Sequence, residues 1–153
     1  MITIGIDAGQ TGGVTVVDEG NFLAGTRMPI IKRGKWKHVD IRALMLWFDD
    51  LPIYDKSVTF VIEGVHAMPA QGVSSSFAFG RATGAIEAWA MSYGQPVEWV
   101  SPAKWKKAMG LSSDKQASLD ACKLHFGANK LWDVKANDGI AEAALIALWW
   151  QRS

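Results

Sequence analysis

The chain has 153 residues, 49% of them hydrophobic and 20% charged, with a formal net charge of +1 and one cysteine. That is enough apolar mass for one core, and a single globular domain over residues 1–153 is expected. The lone Cys122 excludes an internal disulfide or a cysteine-rich zinc site, and no apolar stretch reaches membrane-spanning length or resembles a signal block, so an intracellular protein is expected.

In chain order, residues 2–7 and 13–18 read as strands joined by a Gly-rich turn, a hairpin. Phe22 to Met28 is a third strand, and Pro29 leads into a basic loop where Lys32, Arg33, Lys35, Lys37 and His38 surround Gly34 and Trp36. Asp40 caps a helix whose Ile41, Leu44, Met45, Phe48 and Leu51 follow helical spacing. Residues 58–63, rich in Val, Ile, Thr and Phe, form a buried strand. Small, flexible residues from Ala67 to Ser76 then make a loop ending in three serines that cap a helix. Phe79, Thr83, Ile86, Ala90 and Tyr93 mark one face of that helix, and Gly94 suits its C-terminal position. Pro96 to Val100 is a short strand, and Pro102 starts a brief helix that Gly110 stops. Ser112 or Ser113 caps the next helix, which turns Leu119, Cys122 and Phe126 inward and ends at Gly127. Asn137 caps the last, which runs to Trp150. This order specifies an α/β fold with a mixed sheet flanked by helices. There is no repeat, low-complexity tract or domain-dividing linker.

Four acids carry the chemistry. Asp7 ends the apolar run Ile4-Gly5-Ile6-Asp7 and enters the turn Gly9-Gln10-Thr11-Gly12-Gly13; Glu63 ends Phe60-Val61-Ile62-Glu63. Asp138 and Glu142 sit four apart on one face of the last helix, continued by Leu145 and Trp149. Ionised acids inside β-branched strands are costly without a cationic partner, and none of the four has a Lys or His close by in its own segment. A bound metal is the implied cation, and oxygen ligands suit Mg²⁺. Each acid also has a plainer reading. Asp before Gly commonly bonds its own backbone in a turn, and acids at a helix N-terminus complement the dipole. Glu63 fits neither, since Glu is a poor strand former. Asp7 and Glu63 lie at the carboxyl ends of strands, where ligands of open α/β sheets gather. Like charges four apart repel, so a shared cation accounts for Asp138 and Glu142 together. The joint pattern points to a two-metal phosphodiester site.

Other features are less specific. The glycine turn after Asp7 could cradle a phosphate through backbone N–H groups. His66 could bond a phosphate or a metal, although a lone His near a site is more often structural. Basic clusters with aromatic members, around Trp36 and where Lys104, Lys106 and Lys107 flank Trp105, can hold phosphates and stack on bases; their bland reading is solvated surface. Trp47, Trp89, Trp149 and Trp150 fall in helices and are expected in the core or on a dimer surface.

Together these segments resemble the RuvC family of Holliday junction resolvases in the ribonuclease H-like superfamily, and most of all its compact phage-type members. The resemblance rests on Ile4-Gly5-Ile6-Asp7 with its turn, Val61-Ile62-Glu63-Gly64, and Gln71 to Gly84 with Phe79-Gly80-Arg81. Trp105-Lys106-Lys107, Asp114-Lys115-Gln116 and Asp138-Gly139-Ile140-Ala141-Glu142-Ala143 complete it. It implies a ribonuclease H-like fold with a five-stranded mixed sheet. The activity implied is metal-dependent cleavage of four-way junctions and other branched DNA by paired phosphodiester hydrolysis, in the cytoplasm of a bacterial host if the chain is phage-encoded.

By the same resemblance Asp7, Glu63, Asp138 and Glu142 hold two Mg²⁺ ions, with Mn²⁺ substituting, for an in-line displacement at phosphorus, and Lys107 and Lys115 support the scissile strand. The loop from Met68 to Phe77 reaches into the junction. DNA contacts are expected from Lys32, Arg33, Lys35 and Lys37, from Gln71, Ser75, Phe77 and Arg81, and from Lys104 and Lys106. Bacterial resolvases usually place the last two acids three apart with Asp second; here they are four apart with Glu second, which makes Glu142 the weakest ligand assignment. The two-fold symmetry of a junction favours a homodimer, with the helix from Phe79 to Tyr93, carrying Trp89 and Met91, as its interface. The acid-plus-glycine hairpin also occurs in actin- and sugar-kinase-like phosphotransferases, which need a second domain this chain is too short to supply. A non-catalytic branched-DNA-binding module is the other alternative.

Overall fold

The computed structural model describes residues 1–53, 56–64 and 70–153. Strands β1 (Ile2–Asp7), β2 (Gly13–Asp18) and β3 (Asn21–Arg27) form an antiparallel meander. On the other side of β1, β6 (Val58–Glu63) and β7 (Val97–Val100) add in parallel, giving the order β3-β2-β1-β6-β7. This is the five-stranded mixed sheet expected from the sequence. Ile2, Ile4, Ile6, Val14, Val16, Phe60, Val61 and Ile62 are all inaccessible to solvent, because helices cover both faces of the central strands. The register pairs Ile6 with Ile62, so the next residues, Asp7 and Glu63, finish on adjacent strand ends.

On one face pack α1 (Ile41–Asp49) and α2 (Val73–Met91). Their core is aromatic: Phe48 lies edge-on to Trp89 at 5.5 Å and to Tyr93 at 4.9 Å between ring centroids, and Phe60 sits beneath. The other face carries α3 (Pro102–Ala108), α4 (Lys115–Phe126) and α5 (Asp138–Gln151). α5 crosses β1 and β2 with almost every side chain buried. It can approach so closely because the facing positions are small. A Cβ at Gly5 would collide with the Ala143 carbonyl, and one at Gly13 would come within 2.8 Å of the Ile140 nitrogen. The far end of α5 is pinned by Gln151, whose amide donates to the Met1 and Val17 carbonyls and accepts from Gly20 N–H.

Several local expectations are corrected. The basic segment is not a loop but a second small sheet, β4 (Ile30–Arg33) paired with β5 (Trp36–Val39) around Gly34, whose φ of 61° suits a tight hairpin turn. The three serines lie inside the first turns of α2, whose N-cap is Gly72 without a side-chain bond. Asp114, not Ser112 or Ser113, caps α4 by accepting from Gln116 N–H. Asn137 precedes α5 but does not cap it; its amide donates to the Leu131 carbonyl and its oxygen accepts from Arg27 Nε at 2.7 Å. Trp89 is 3% exposed and belongs to the core, so of the two residues offered for a dimer face only Met91, at 50%, is open to solvent. No helix among the described residues is long and apolar enough to cross a membrane.

Candidate metal centre

The C-terminal ends of β1 and β6 and the second turn of α5 meet at one point. There Asp7, Glu63 and Glu142 offer carboxylate oxygens that all lie within 4.8 Å of one another. Glu63 is buried, and its Oε1 accepts from Trp105 Nε1 at 2.8 Å, a bond supplied by the fully enclosed indole of α3. Trp105 is therefore a buried orienting residue and not a base-stacking platform. Glu142 Oε1 accepts from Lys106 Nζ at 2.9 Å and lies 3.4 Å from the Ser118 hydroxyl.

The crowding is felt in the protonation of Asp7 and Glu63. Burial first, and then the charges of Glu63 and Glu142, push the Asp7 carboxyl well above its ordinary range, with Lys106 pulling the other way. Burial also raises Glu63, against the lowering effect of its Trp105 bond. Among the described residues no Lys, Arg or His comes within ion-pairing distance of Asp7 or Glu63. Three converging carboxylates, of which only Glu142 has a lysine partner, are a hard-oxygen donor set that fits a divalent cation such as Mg²⁺.

The fourth acid stands apart. Asp138 is one turn earlier on α5, outside the group of three, and its carboxylate pairs with Lys115 Nζ at 2.7 Å. The relative standing of the two α5 acids is thus the reverse of the expectation: Glu142 joins the cluster and Asp138 is held beside it by a lysine. On α3 the lysine that reaches an acid is Lys106; its neighbour Lys107 is exposed. Neither Lys106 nor Lys115 was visible as an acid's partner in the sequence, because each comes from a different helix.

The glycine turn serves packing more than ligand binding. Gly12 N–H is spent on the Gly9 carbonyl, and a Cβ at Gly12 or Gly139 would strike the opposing backbone. Gln10 in this turn donates from Nε2 to the Lys37 carbonyl at 3.0 Å, tying the β4–β5 hairpin to the segment that follows Asp7. Lys32, Arg33, Lys35 and Lys37 are exposed on that hairpin, with Lys35 Nζ 5.3 Å from the Trp36 ring centre. Across from it, Ser75, Phe77 and Arg81 are exposed on α2 and Gln71 is half-buried just before it. Lys104 lies over Trp149, two turns along α5 from Glu142, and so is not gathered with the others. His66, Met68 and the rest of residues 65–69 lie outside the described residues, as does that part of the expected junction-reaching loop.

No protein-family model matches the chain, and no curated protein does. Solved structures do. The chain is similar to RuvC from Thermus thermophilus, with 21% identity and a TM-score of 0.67 over 99% of this chain and 96% of that one. It is similar also to the T. thermophilus RuvC solved in complex with a Holliday junction substrate, with 19% identity and a TM-score of 0.65 over 99% and 95%. At these identities the likeness establishes the architecture, which is the ribonuclease H-like fold of RuvC.

Proposed function

We propose that this chain is a metal-dependent, structure-selective endodeoxyribonuclease that cuts Holliday junctions and other branched DNA. The observation that carries this reading is the cluster of Asp7, Glu63 and Glu142 at the carboxyl ends of β1 and β6, within a fold shared with a protein solved on a junction substrate. Asp7, Glu63 and Glu142 hold the ions, two per site, Mg²⁺ or Mn²⁺, with Asp138 contributing once Lys115 has moved. When bound, such ions supply charge neutralisation at phosphorus and an acidified water. Trp105 keeps Glu63 turned toward the cluster. Lys106 and Lys115 stand where developing negative charge on a phosphate could be offset, and they fit that role better than the outward Lys107. The exposed cations of the β4–β5 hairpin and Arg81 grip the flanking backbone.

Paired cuts need two sites, and one domain has one, so the working unit is a two-fold dimer. The reading is tested with a labelled four-way junction in Mg²⁺ or Mn²⁺. The parent should yield symmetric nicks, while Asp7→Asn should bind the junction and not cut it. Equal cutting by Asp7→Asn would place the chemistry elsewhere, and binding without cutting by the parent would leave a non-catalytic module.

A further inference from the structure

Between the β4–β5 hairpin and the first turns of α2 lies a cleft of about 720 Å³ that shares no residue with the acid cluster. Its two large aromatics are Trp36 from β5 and Phe77 from α2, which are 55% and 70% exposed. The large rings of the core, Trp89, Trp105, Trp132, Phe48 and Phe60, are buried, whereas Trp36 and Phe77, like Trp99 on β7 at 45%, are open to solvent. Two aromatic faces held open across one cleft are therefore a feature to be explained by what they meet.

The charge of the lining is one-sided. Arg33 and Lys37 come from the hairpin, Arg42 from α1 and Arg81 from α2, against a single acid among the described residues, Asp40. That acid is already committed, since its carboxylate accepts from Ala43 N–H at the start of α1. Arg33 stands on the hairpin wall and Arg81 on the α2 wall of the same cleft. Burial first, and then the charges of Arg81 and Arg33, lower the pKa of His38 in that lining. A cleft with aromatic faces and surplus cations calls for an occupant that is flat, apolar on its faces and anionic at its edge. A nucleotide has that description, and aromatic platforms beside basic grooves are how single strands are held. An acidic peptide would use the cations but leave both rings wet.

We infer that this cleft takes an unpaired nucleotide of a DNA strand, its base stacked on Trp36 and Phe77 and its phosphate held by Arg33 and Arg81. The inference rests on the DNA-binding part of the proposed function and not on cleavage. The Gln10–Lys37 hydrogen bond fixes the hairpin to the turn after Asp7, so a strand seated here has a set path toward the acids. Such a seat would favour DNA that carries unpaired bases, as branched structures do where strands exchange.

The test uses the full chain and fluorescence anisotropy with a short labelled oligothymidylate, an abasic strand of the same length, and a polyaspartate competitor. Trp36→Ala and Phe77→Ala should each weaken oligothymidylate binding about tenfold, since a stacked base is worth roughly 1–3 kcal/mol, with no change in salt dependence. Trp36→Phe should restore most of the loss. Arg33→Gln should reduce the slope of log affinity against log salt by about one. The abasic strand should bind the parent as weakly as oligothymidylate binds the alanine variants. Equal affinity of the parent for both strands, unaltered binding by both alanine variants, or displacement by polyaspartate as effective as by DNA would overturn the assignment. Both side chains are largely exposed, so these changes leave the core intact. Running the Asp7→Asn protein in parallel separates the two readings: aromatic-dependent binding without cleavage by the parent removes the nuclease and keeps the cleft.

Discussion

Trp105 Nε1 reaches Glu63 Oε1 at 2.8 Å, so the most deeply buried acid of the cluster is oriented by a neutral N–H from another element. The indole is fully enclosed, and Glu63 is 5% exposed. A neutral donor keeps the carboxylate ionisable without cancelling its charge, which leaves that charge for a cation. Partners of metal-binding groups commonly govern affinity almost as strongly as the ligands themselves.

Trp105→Phe tests that role. The ring volume is largely kept, the N–H is lost, and Glu63 should become harder to ionise. Calorimetric titration with Mn²⁺ should show affinity reduced by about 10–100-fold. Affinity equal to the parent's would mean that packing alone orients Glu63.

Protonation of the cluster should be visible in stability. The folded-state pKa of Asp7 is raised, so between the ordinary carboxylate range and that raised value the folded protein holds a proton the unfolded chain has released. Stability of the metal-free protein should therefore fall as pH rises through that window, and Glu63 adds in the same direction. Thermal melts across pH in EDTA should show the decline, Asp7→Asn should flatten it, and Mg²⁺ or Mn²⁺ should offset it. A melting temperature that climbs with pH in EDTA would contradict the crowding of these acids.

Adjacent lysines on α3 should behave differently. Lys106 is 24% exposed and pairs with Glu142, which is 15% exposed, whereas Lys107 faces solvent. Lys106→Met should cost the metal-free protein up to about 1 kcal/mol, the upper end for an accessible ion pair. It should also slow cleavage by at least about tenfold, the scale of one lost electrostatic contact to the transition state. Lys107→Met should be near neutral in both. Parallel melts and single-turnover cleavage decide, and equal effects would show that α3 presents both lysines to the substrate.

Light scattering at micromolar concentration should give twice the chain mass of 16.7 kDa. Met91→Asp, on the exposed side of α2, should shift it toward the single-chain value if that helix forms the interface. A strict monomer that still makes paired, symmetric nicks would refute the dimer.

What the sequence revealed follows from how local each signal is. β1 and β6 were legible because an apolar run that stops at an acid needs no partner to be recognised. The candidate site takes its first two acids from that pattern alone. α5 was legible for the same reason, its apolar content being continuous from Ala143 to Trp150. The β4–β5 hairpin was hidden because Lys32, Arg33, Lys35 and Lys37 mask the strand character of Ile30, Ile31, Trp36 and Val39; charge density read as loop. Long-range partners were hidden altogether. Whether Lys106 or Lys107 faces the acids depends on the phase of α3, which is set by burying Trp105 under Glu63. Trp89 left the surface because Phe48 and Tyr93, from elements distant in sequence or beyond its own turn, close over it.

The contact of Gly5 with Ala143 is made between main chains, atoms that every residue possesses. Seated this way, α5 has no cushion of side chains that could yield or re-sort when something nearby changes size. Its height above β1 is fixed like a bearing on its race, and Glu142 hangs from that height. A methyl group placed at Gly5 would lift the whole helix and carry one carboxylate out of reach of the other two. The precision of the acid cluster is therefore stored two residues before Asp7, in a place where nothing is present but hydrogen.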